Sequence, residues 1–332
     1  MEDDHYIKKI ISAYEIIKQK KLTTPLVKLH NVTTPQSHSI YLKAECLQPG
    51  GSFKIRGVSY AISKLTPEQR AIGVVAYSTG NHAQAVALAA RELGVHAVIV
   101  MSPNVPIYKI EATQNYGAEI VITEPESRIA VTEELVKNKG YYYIPPFDRE
   151  DVIEGQGTIG LEILEQIDTT AVFVPVGGGG LISGIALAIK HFKPDIQIIG
   201  VEPEFENDTY QSFKSGKRVK INTTSQTIAD AIRVPVGELT LGLITKYVDD
   251  ILTVSEEQIA QATLLCIRQA HLWVEPAGAL GVAGALHYRG NFATGKPIVC
   301  VASGGNMSIE FICQLLKLSP PTSPPPLSER FM

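Results

Sequence analysis

One oddly placed lysine, three polar glycine-bearing loops and a short acidic run are the parts of this chain whose types and spacing could do chemistry. Lys54 lies in Gly50-Gly51-Ser52-Phe53-Lys54-Ile55-Arg56-Gly57. Ile55, Val58, Ile62 and Leu65 follow at helical spacing, and Ser52 is placed to cap that helix after two turn-forming glycines. Lys54 then falls in the first turn, where the macrodipole disfavours a cation by about 0.3–1 kcal/mol. With Arg56 beside it, its ammonium is disfavoured further, and the free amine becomes a nucleophile toward a carbonyl.

The loops are Ser78-Thr79-Gly80-Asn81-His82, Gly177-Gly178-Gly179-Gly180 and Ser303-Gly304-Gly305-Asn306, each directly after an apolar run. In open α/β sheets, ligands collect at the carboxyl ends of strands. Four successive glycines are entropically expensive. Their unshielded N–H groups, backed by the positive end of the next helix, suit a phosphate. The chain has no GxxxxGK[ST], and no GxGxxG with an acidic residue at the right distance. A phosphate-bearing carbonyl cofactor would use both the amine and the cradle. Pyridoxal phosphate, held as a Schiff base on Lys54, meets that description.

The elements that must position these groups alternate. Strands are expected at Tyr41–Glu45, Gly73–Tyr77, Ala97–Met101, Glu119–Ile122, Ala171–Val176, Gln197–Glu202 and Pro297–Ala302. Several are continuous apolar runs, as in parallel strands covered on both faces. Helical patterns occupy Ala83–Leu93, Lys109–Tyr116, Ser127–Lys137, Gly157–Gln166 and Leu181–Phe192, with an amphipathic helix near the start. Ser255-Glu256-Glu257-Gln258 is a capping box that opens another. The fold class is therefore α/β, with mostly parallel sheet flanked by helices. Tyr141–Phe147 reads as a crossover between two lobes, and the segment from Ser319 is proline-rich.

The bulk numbers agree with an enzyme. The chain has 332 residues, 45% hydrophobic and 19% charged, with a net charge of −4 and no long basic run. That argues against nucleic acid or an anionic membrane as partner. Ala171 to Ile189 lacks formal charge but contains Pro175 and the four glycines, so it reads as strand, loop and helix rather than a membrane span. Cys46, Cys266, Cys300 and Cys313 form no CxxC and read as reduced core thiols of a cytoplasmic protein. The acidic start shows no signal peptide.

The motifs GSFKIRG, STGNHAQA, VIEGQGT, PVGGGGL, VEPAGAL and ASGGN occur in the order and at the spacings of a known group. From Thr24 to Leu316 the chain resembles the fold-type II pyridoxal-phosphate enzymes, specifically the serine/threonine dehydratase and serine racemase family. The resemblance implies a tryptophan synthase β-like fold of two lobes. Residues 1–65 and 148–318 would form a large cofactor-binding domain and 66–147 a small mobile one, with 319–332 a proline-rich tail. It implies Lys54 as the Schiff-base lysine with Phe53 beside the ring, and Asn81 on the cofactor's 3-hydroxyl. Gly177, Gly178, Gly179 and Gly180 would form the phosphate cup, and Ser303 would be a neutral partner of the pyridine nitrogen. Ser78, Thr79, Gly80, Asn81 and His82 resemble the loop that clasps the substrate carboxylate, with His82 a pocket wall. Arg128 is a further candidate for an anionic substrate, though it also fits a solvated helix face.

Two departures stand out. Thr79 occupies a place that is often alanine in dehydratases and serine in racemases, where that serine exchanges the proton opposite the lysine. Thr79 keeps the hydroxyl but adds a methyl group, which weighs against racemisation. Ala231 in TIADAIR stands where the family usually has glycine. The run from Glu202 to Asp208 matches the spacing of the family's divalent-cation site: carboxylates of Glu202 and Asp208 and the backbone carbonyl of Glu206, suited to Mg²⁺ or Ca²⁺. A homodimer is implied by resemblance. The short span after ASGGN leaves no room for a regulatory domain, so isoleucine feedback is not expected.

The expected reaction is dehydration and deamination of L-threonine or L-serine to 2-oxobutanoate or pyruvate plus ammonia, with Lys54 removing the α-proton. The alternatives are a serine racemase with side dehydratase activity, a 3-hydroxyaspartate dehydratase, or a non-enzymatic sensor of small anions or nucleotides using the same loops.

Overall fold

The apolar runs become strands at the centre of two sheets in the computed structural model, which describes residues 2–19, 21–221, 226–293 and 295–318. Within them are ten strands. These are β1 (Leu26–Thr33), β2 (Ser39–Lys43), β3 (Val74–Tyr77), β4 (Ala97–Met101), β5 (Glu119–Ile122), β6 (Tyr142–Tyr143), β7 (Ala171–Pro175), β8 (Gln197–Pro203), β9 (Asp250–Val254) and β10 (Ile298–Val301). The helices are α1 (Glu2–Ile17), α2 (Lys54–Ser63), α3 (Pro67–Ile72), α4 (Asn81–Glu92), α5 (Ile107–Asn115), α6 (Arg128–Lys139) and α7 (Glu150–Gln166). They continue with α8 (Gly180–Phe192), α9 (Asp208–Ser215), α10 (Glu238–Tyr247), α11 (Glu256–Ala270), α12 (Pro276–His287) and α13 (Ile309–Leu318).

The larger sheet runs β1-β2-β10-β7-β8-β9 and the smaller β5-β4-β3-β6. Every pairing is parallel except β1 with β2. The alternation of strand side chains explains the layers. In β7, Ala171 and Phe173 enter a core shared with α11 and α12, while Val172 and Val174 enter the opposite core under α7 and α8. In β3, Val74 and Ala76 pack toward α2 and α4, and Val75 packs toward α6. The proline-rich tail expected at 319–332 lies outside the described residues. Among the described residues no helix is long and apolar enough to cross a membrane.

Helix α2, which begins at Lys54, is fixed from several sides. Its apolar stripe Ile55, Val58, Ile62 and Leu65 is buried as the spacing requires. Gly57 meets Gly155 of α7 so closely that a Cβ on Gly155 would lie 2.5 Å from the Gly57 Cα. That contact explains why α7 starts at Glu150 rather than at Gly157: its glycines serve close helix approach instead of ending the helix. Arg56 is fully buried and bonded to Glu45 and Glu162, and Glu162 also takes the Lys43 ammonium at 2.5 Å.

Other expectations are corrected. Ser52 does not cap α2; the residue before the helix is Phe53, already in helical backbone geometry, with no side-chain cap. Ser52 instead pairs with Gly304 across a short bridge, with its hydroxyl buried. The four cysteines are all free, but only Cys266 and Cys300 are core thiols, whereas Cys46 is half-buried and Cys313 exposed. The capping box at Ser255 forms as expected, with Ser255 and Gln258 bonding reciprocally.

Candidate active site

Between the two sheets lies a cavity of about 720 Å³. Phe53, Lys54, Ser78, Thr79, Gly80, Asn81, His82, Gly177, Gly178, Gly179, Gly180 and Ser303 all line it. Residues separated by more than a hundred positions converge because β3, β7 and β10 run parallel within their sheets and deliver their following loops to this space. The backbone sews the loop after β10 to the segment that carries Lys54. Phe53 N donates to Ser303 O at 3.0 Å, and Gly305 N donates to Gly51 O at 2.9 Å.

Lys54 Nζ donates to the Pro146 carbonyl at 2.6 Å and lies 5.2 Å from the centre of the Phe53 ring. The amine sits deep in the molecule while remaining partly open to the cavity, and burial lowers its pKa from 10.5 to about 8. The expected direction holds, but its cause is corrected. Arg56 turns away into its two carboxylates and contributes nothing to Lys54.

The four-glycine turn lines the cavity, and neighbouring groups fill the space where side chains would stand. A Cβ on Gly178 would lie 2.3 Å from the Phe147 ring, and one on Gly179 would lie 2.8 Å from Thr240. Gly179 has φ +87°, a left-handed conformation that favours glycine. Gly180 begins α8, whose first N–H groups have no intrahelical acceptor. The turn is braced by Thr240 Oγ1, which donates to Gly178 O at 2.7 Å. Thr240 N and Glu238 N both donate to the Asp148 carboxylate, at 3.1 Å each. A phosphate fits such a turn, and the carbonyl chemistry of pyridoxal phosphate fits a neutral-leaning amine in the same cavity.

On the third loop, Asn81 opens α4 and its Nδ2 donates to Glu275 Oε1 at 2.6 Å. His82 is buried, with Nε2 2.9 Å from Ile144 O. Nε2 must therefore carry the proton. Burial first, then the Lys54 charge, push its pKa down to about 3, so the ring is neutral. Arg128 lines the cavity as well, and its Nε donates to Pro125 O at 3.1 Å. That places it at the site rather than on a purely solvated face. Lys109, Asp230, Arg233 and Glu275 join the lining. Sequence reasoning gave them no role: Lys109 read only as a helix start, and Arg233 and Glu275 only as letters within motifs.

The acidic run lies apart, after β8. Glu202 is fully buried and accepts from Thr209 N at 3.3 Å and Tyr210 N at 2.7 Å. Burial, joined by the Asp208 charge, raises its pKa to about 8. Asp208 accepts from Val236 N at 2.8 Å, and burial raises its pKa too. Among the described residues no three His, Cys, Asp or Glu side chains gather as a metal-ligating group. Glu202 and Asp208 are two buried carboxylates, and the Asp208 charge disfavours ionisation of Glu202; oxygen ligands of this kind suit a hard divalent cation.

A buried lysine amine and a four-glycine turn lining one cavity between two mostly parallel sheets define the class: a lysine-dependent carbonyl-cofactor enzyme. The family model described as pyridoxal-phosphate dependent enzyme matches residues 17–304, and the chain belongs to that family, which is enzymatic. It is 42% identical over 311 residues to L-threo-3-hydroxyaspartate ammonia-lyase of Saccharomyces cerevisiae, covering 92% of this chain and 95% of that protein. L-threonine ammonia-lyase of Thermotoga maritima is 43% identical over 281 residues, 83% of this chain and 69% of that one. The structure of maize serine racemase superposes with a TM-score of 0.86 at 36% identity, covering 94% of this chain and 97% of that one.

Proposed function

We propose that this chain is an ammonia-lyase for small β-hydroxy amino acids, with L-threonine or L-serine as substrate and a 2-keto acid and ammonia as products. The carrying observation is the Lys54 amine, its pKa lowered to about 8, in one cavity with the four-glycine turn. Pyridoxal phosphate, when bound, supplies an electron sink for negative charge developing at the substrate α-carbon. Gly177 to Gly180 would hold its phosphate, Asn81 and Ser303 its ring, and Phe53 would pack beside it. Lys54 Nζ, increasingly neutral above pH 8, takes the α-proton. N–H groups of the Ser78–His82 loop hold the carboxylate. Neutral His82 lends a wall without adding charge. Thr79 brings a hydroxyl whose methyl group narrows the space for reprotonation, which favours elimination over racemisation. Ala231 lines the same cavity, and nothing in the structure explains its replacement of glycine. Movement of the segment 66–147 would exclude water during the reaction.

A second reading is a dicarboxylic substrate such as 3-hydroxyaspartate. It is favoured by Arg128 and Arg233, which line the cavity from two different elements and suit a second carboxylate. A cation on Glu202, Asp208 and the Glu206 carbonyl would be structural, because these groups lie outside the cavity lining. Four unpaired cysteines fit a reducing, cytoplasmic location. A homodimer is expected from family likeness.

The test is purified protein with a panel of L- and D-hydroxyamino acids and 3-hydroxyaspartate, scoring keto acid and enantiomer together. Lys54→Ala should abolish both turnover and the visible absorbance of the lysine-bound cofactor. Retained turnover in that variant refutes the assignment.

A further inference from the structure

Glu275 stands immediately before α12, where an acidic side chain would ordinarily cap the helix, yet it makes no capping bond. Its carboxylate turns instead to Asn81 Nδ2 at 2.6 Å. The other end of the Asn81 amide is also taken, since Asn306 Nδ2 donates to Asn81 Oδ1 at 2.8 Å and to the Gly50 carbonyl at 2.8 Å. A carboxylate only accepts and an amide nitrogen only donates, so these partners fix which way the Asn81 amide faces. One Asn81 N–H is spent on Glu275, and the second is left for the cavity that Asn81 lines. Space for the carboxylate is reserved: a Cβ on Gly304 would lie 2.2 Å from Glu275 Oε1.

Two further charges act on this carboxylate. Lys109 of α5 and Asp230 form an ion pair at 2.7 Å, joining a helix beside the smaller sheet to a turn beside the larger one, and both line the cavity. We propose that Glu275 is a positioning residue that presets the Asn81 amide, and that the Lys109–Asp230 pair at the cavity wall tunes it. Burial first and the Asp230 charge second raise the Glu275 pKa to about 7, while the Asn81 bond and the Lys109 charge pull it back. Cys46 is close enough to feel the Glu275 charge, but its thiol is pushed up to about 12 by burial first, then by the Glu45 charge and least by Glu275, and stays neutral. Opening the ion pair by withdrawing Lys109 removes the cation that restrains Glu275, so the carboxyl then gains a proton more readily. Closure of the cavity and protonation of Glu275 are thereby coupled, and the coupling runs both ways.

This inference rests on the proposed pyridoxal-phosphate site, and the experiment separates the two. Cofactor dissociation constants are measured by equilibrium dialysis. The visible absorbance of the loaded protein is titrated from about pH 5.5 to about pH 8.5, on either side of the raised carboxyl. Glu275→Ala should weaken cofactor binding about tenfold, the worth of one buried charge-assisted bond. Glu275→Gln keeps an acceptor for Asn81 and should restore the affinity, yet it should lose the titration step near pH 7. Lys109→Met should move that step to higher pH, and Asp230→Asn to lower pH. A step that persists in Glu275→Gln, or that stays put in Lys109→Met, overturns the inference whatever Glu275→Ala does. Wild-type protein that takes up no cofactor would instead overturn the proposed function.

Discussion

Replacing Arg56 by methionine separates the charge of the buried network from its shape. The Arg56 guanidinium holds Glu45 through two bonds at 2.7 and 2.8 Å and Glu162 through two at 2.6 and 2.8 Å. Lys43 is the network's other cation, and burial already disfavours its charged form. Methionine keeps the volume but leaves two buried carboxylates facing a single ammonium. Removing one partner of a buried pair costs about 3–5 kcal/mol, a large part of the roughly 5–15 kcal/mol that holds a domain folded. The loss should also depend on pH. Burial raises the Glu45 pKa, but the Arg56 charge and hydrogen bonds outweigh it and leave it below the ordinary value. In wild type Glu45 therefore adds stability above its unfolded pKa and loses it as pH falls. Without Arg56 burial dominates, the pKa rises, and stability is lost as pH climbs through the unfolded value. The gap between the two proteins should widen from about pH 5 to about pH 8. Urea denaturation followed by far-ultraviolet circular dichroism and by Trp273, the single tryptophan, measures it. A loss below about 1 kcal/mol, typical of a surface pair, or a gap independent of pH, would refute the reasoning.

Other outcomes follow from the same geometry. Gly178→Ala places a Cβ 2.3 Å from the Phe147 ring and should cost about 1–3 kcal/mol of cofactor affinity by overpacking; dialysis showing unchanged affinity would remove the cradle assignment. In cofactor-free protein the Lys54 amine should become reactive with a midpoint near 8 rather than 10.5, neutral above it and protonated below. Site-resolved mass spectrometry after pulse acylation across pH reads this directly. If a cation sits at Glu202 and Asp208, chelation should lower the melting temperature, and more so at higher pH. Without a cation, Glu202 has a pKa raised to about 8, so stability is lost as pH rises from the unfolded carboxyl value through that point. Glu202→Gln should be insensitive to the chelator, and a wild-type melting temperature indifferent to chelation argues that no such cation is held.

Much of the architecture was legible because burial writes itself into the strands. Ala97–Met101 and Glu119–Ile122 were read to the residue; the first is apolar throughout and the second is apolar after Glu119. Three strands were missed for reasons the structure supplies. β1 is an exposed antiparallel edge whose Lys28, His30 and Asn31 break the apolar run. β6 has two residues, and β9 carries Asp250 and Thr253. At the site, the sequence marked the lysine and all three loops, because each needs residue types that are costly elsewhere. It could not show Glu275, Lys109 and Asp230 acting together, since their relation exists only across elements far apart in the chain.

The lysine shows why direction is easier to read than cause. A helix dipole shifts an equilibrium by less than tenfold at about 0.3–1 kcal/mol. The pKa of Lys54 falls from 10.5 to about 8, and burial alone accounts for it. The dipole argument therefore pointed to the right residue through an effect too small to do the task. Burial is decided by what arrives from elsewhere: Pro146 and Phe147 after β6, the glycine turn after β7 and Ser303 after β10. No charge from Arg56, Glu45 or Glu162 reaches Lys54, and among the described residues its amine has the neutral Pro146 carbonyl as its hydrogen-bond partner. A carboxylate within reach would restore the ammonium. The chemistry of position 54 thus depends as much on keeping charge out of the space around it as on the lysine itself.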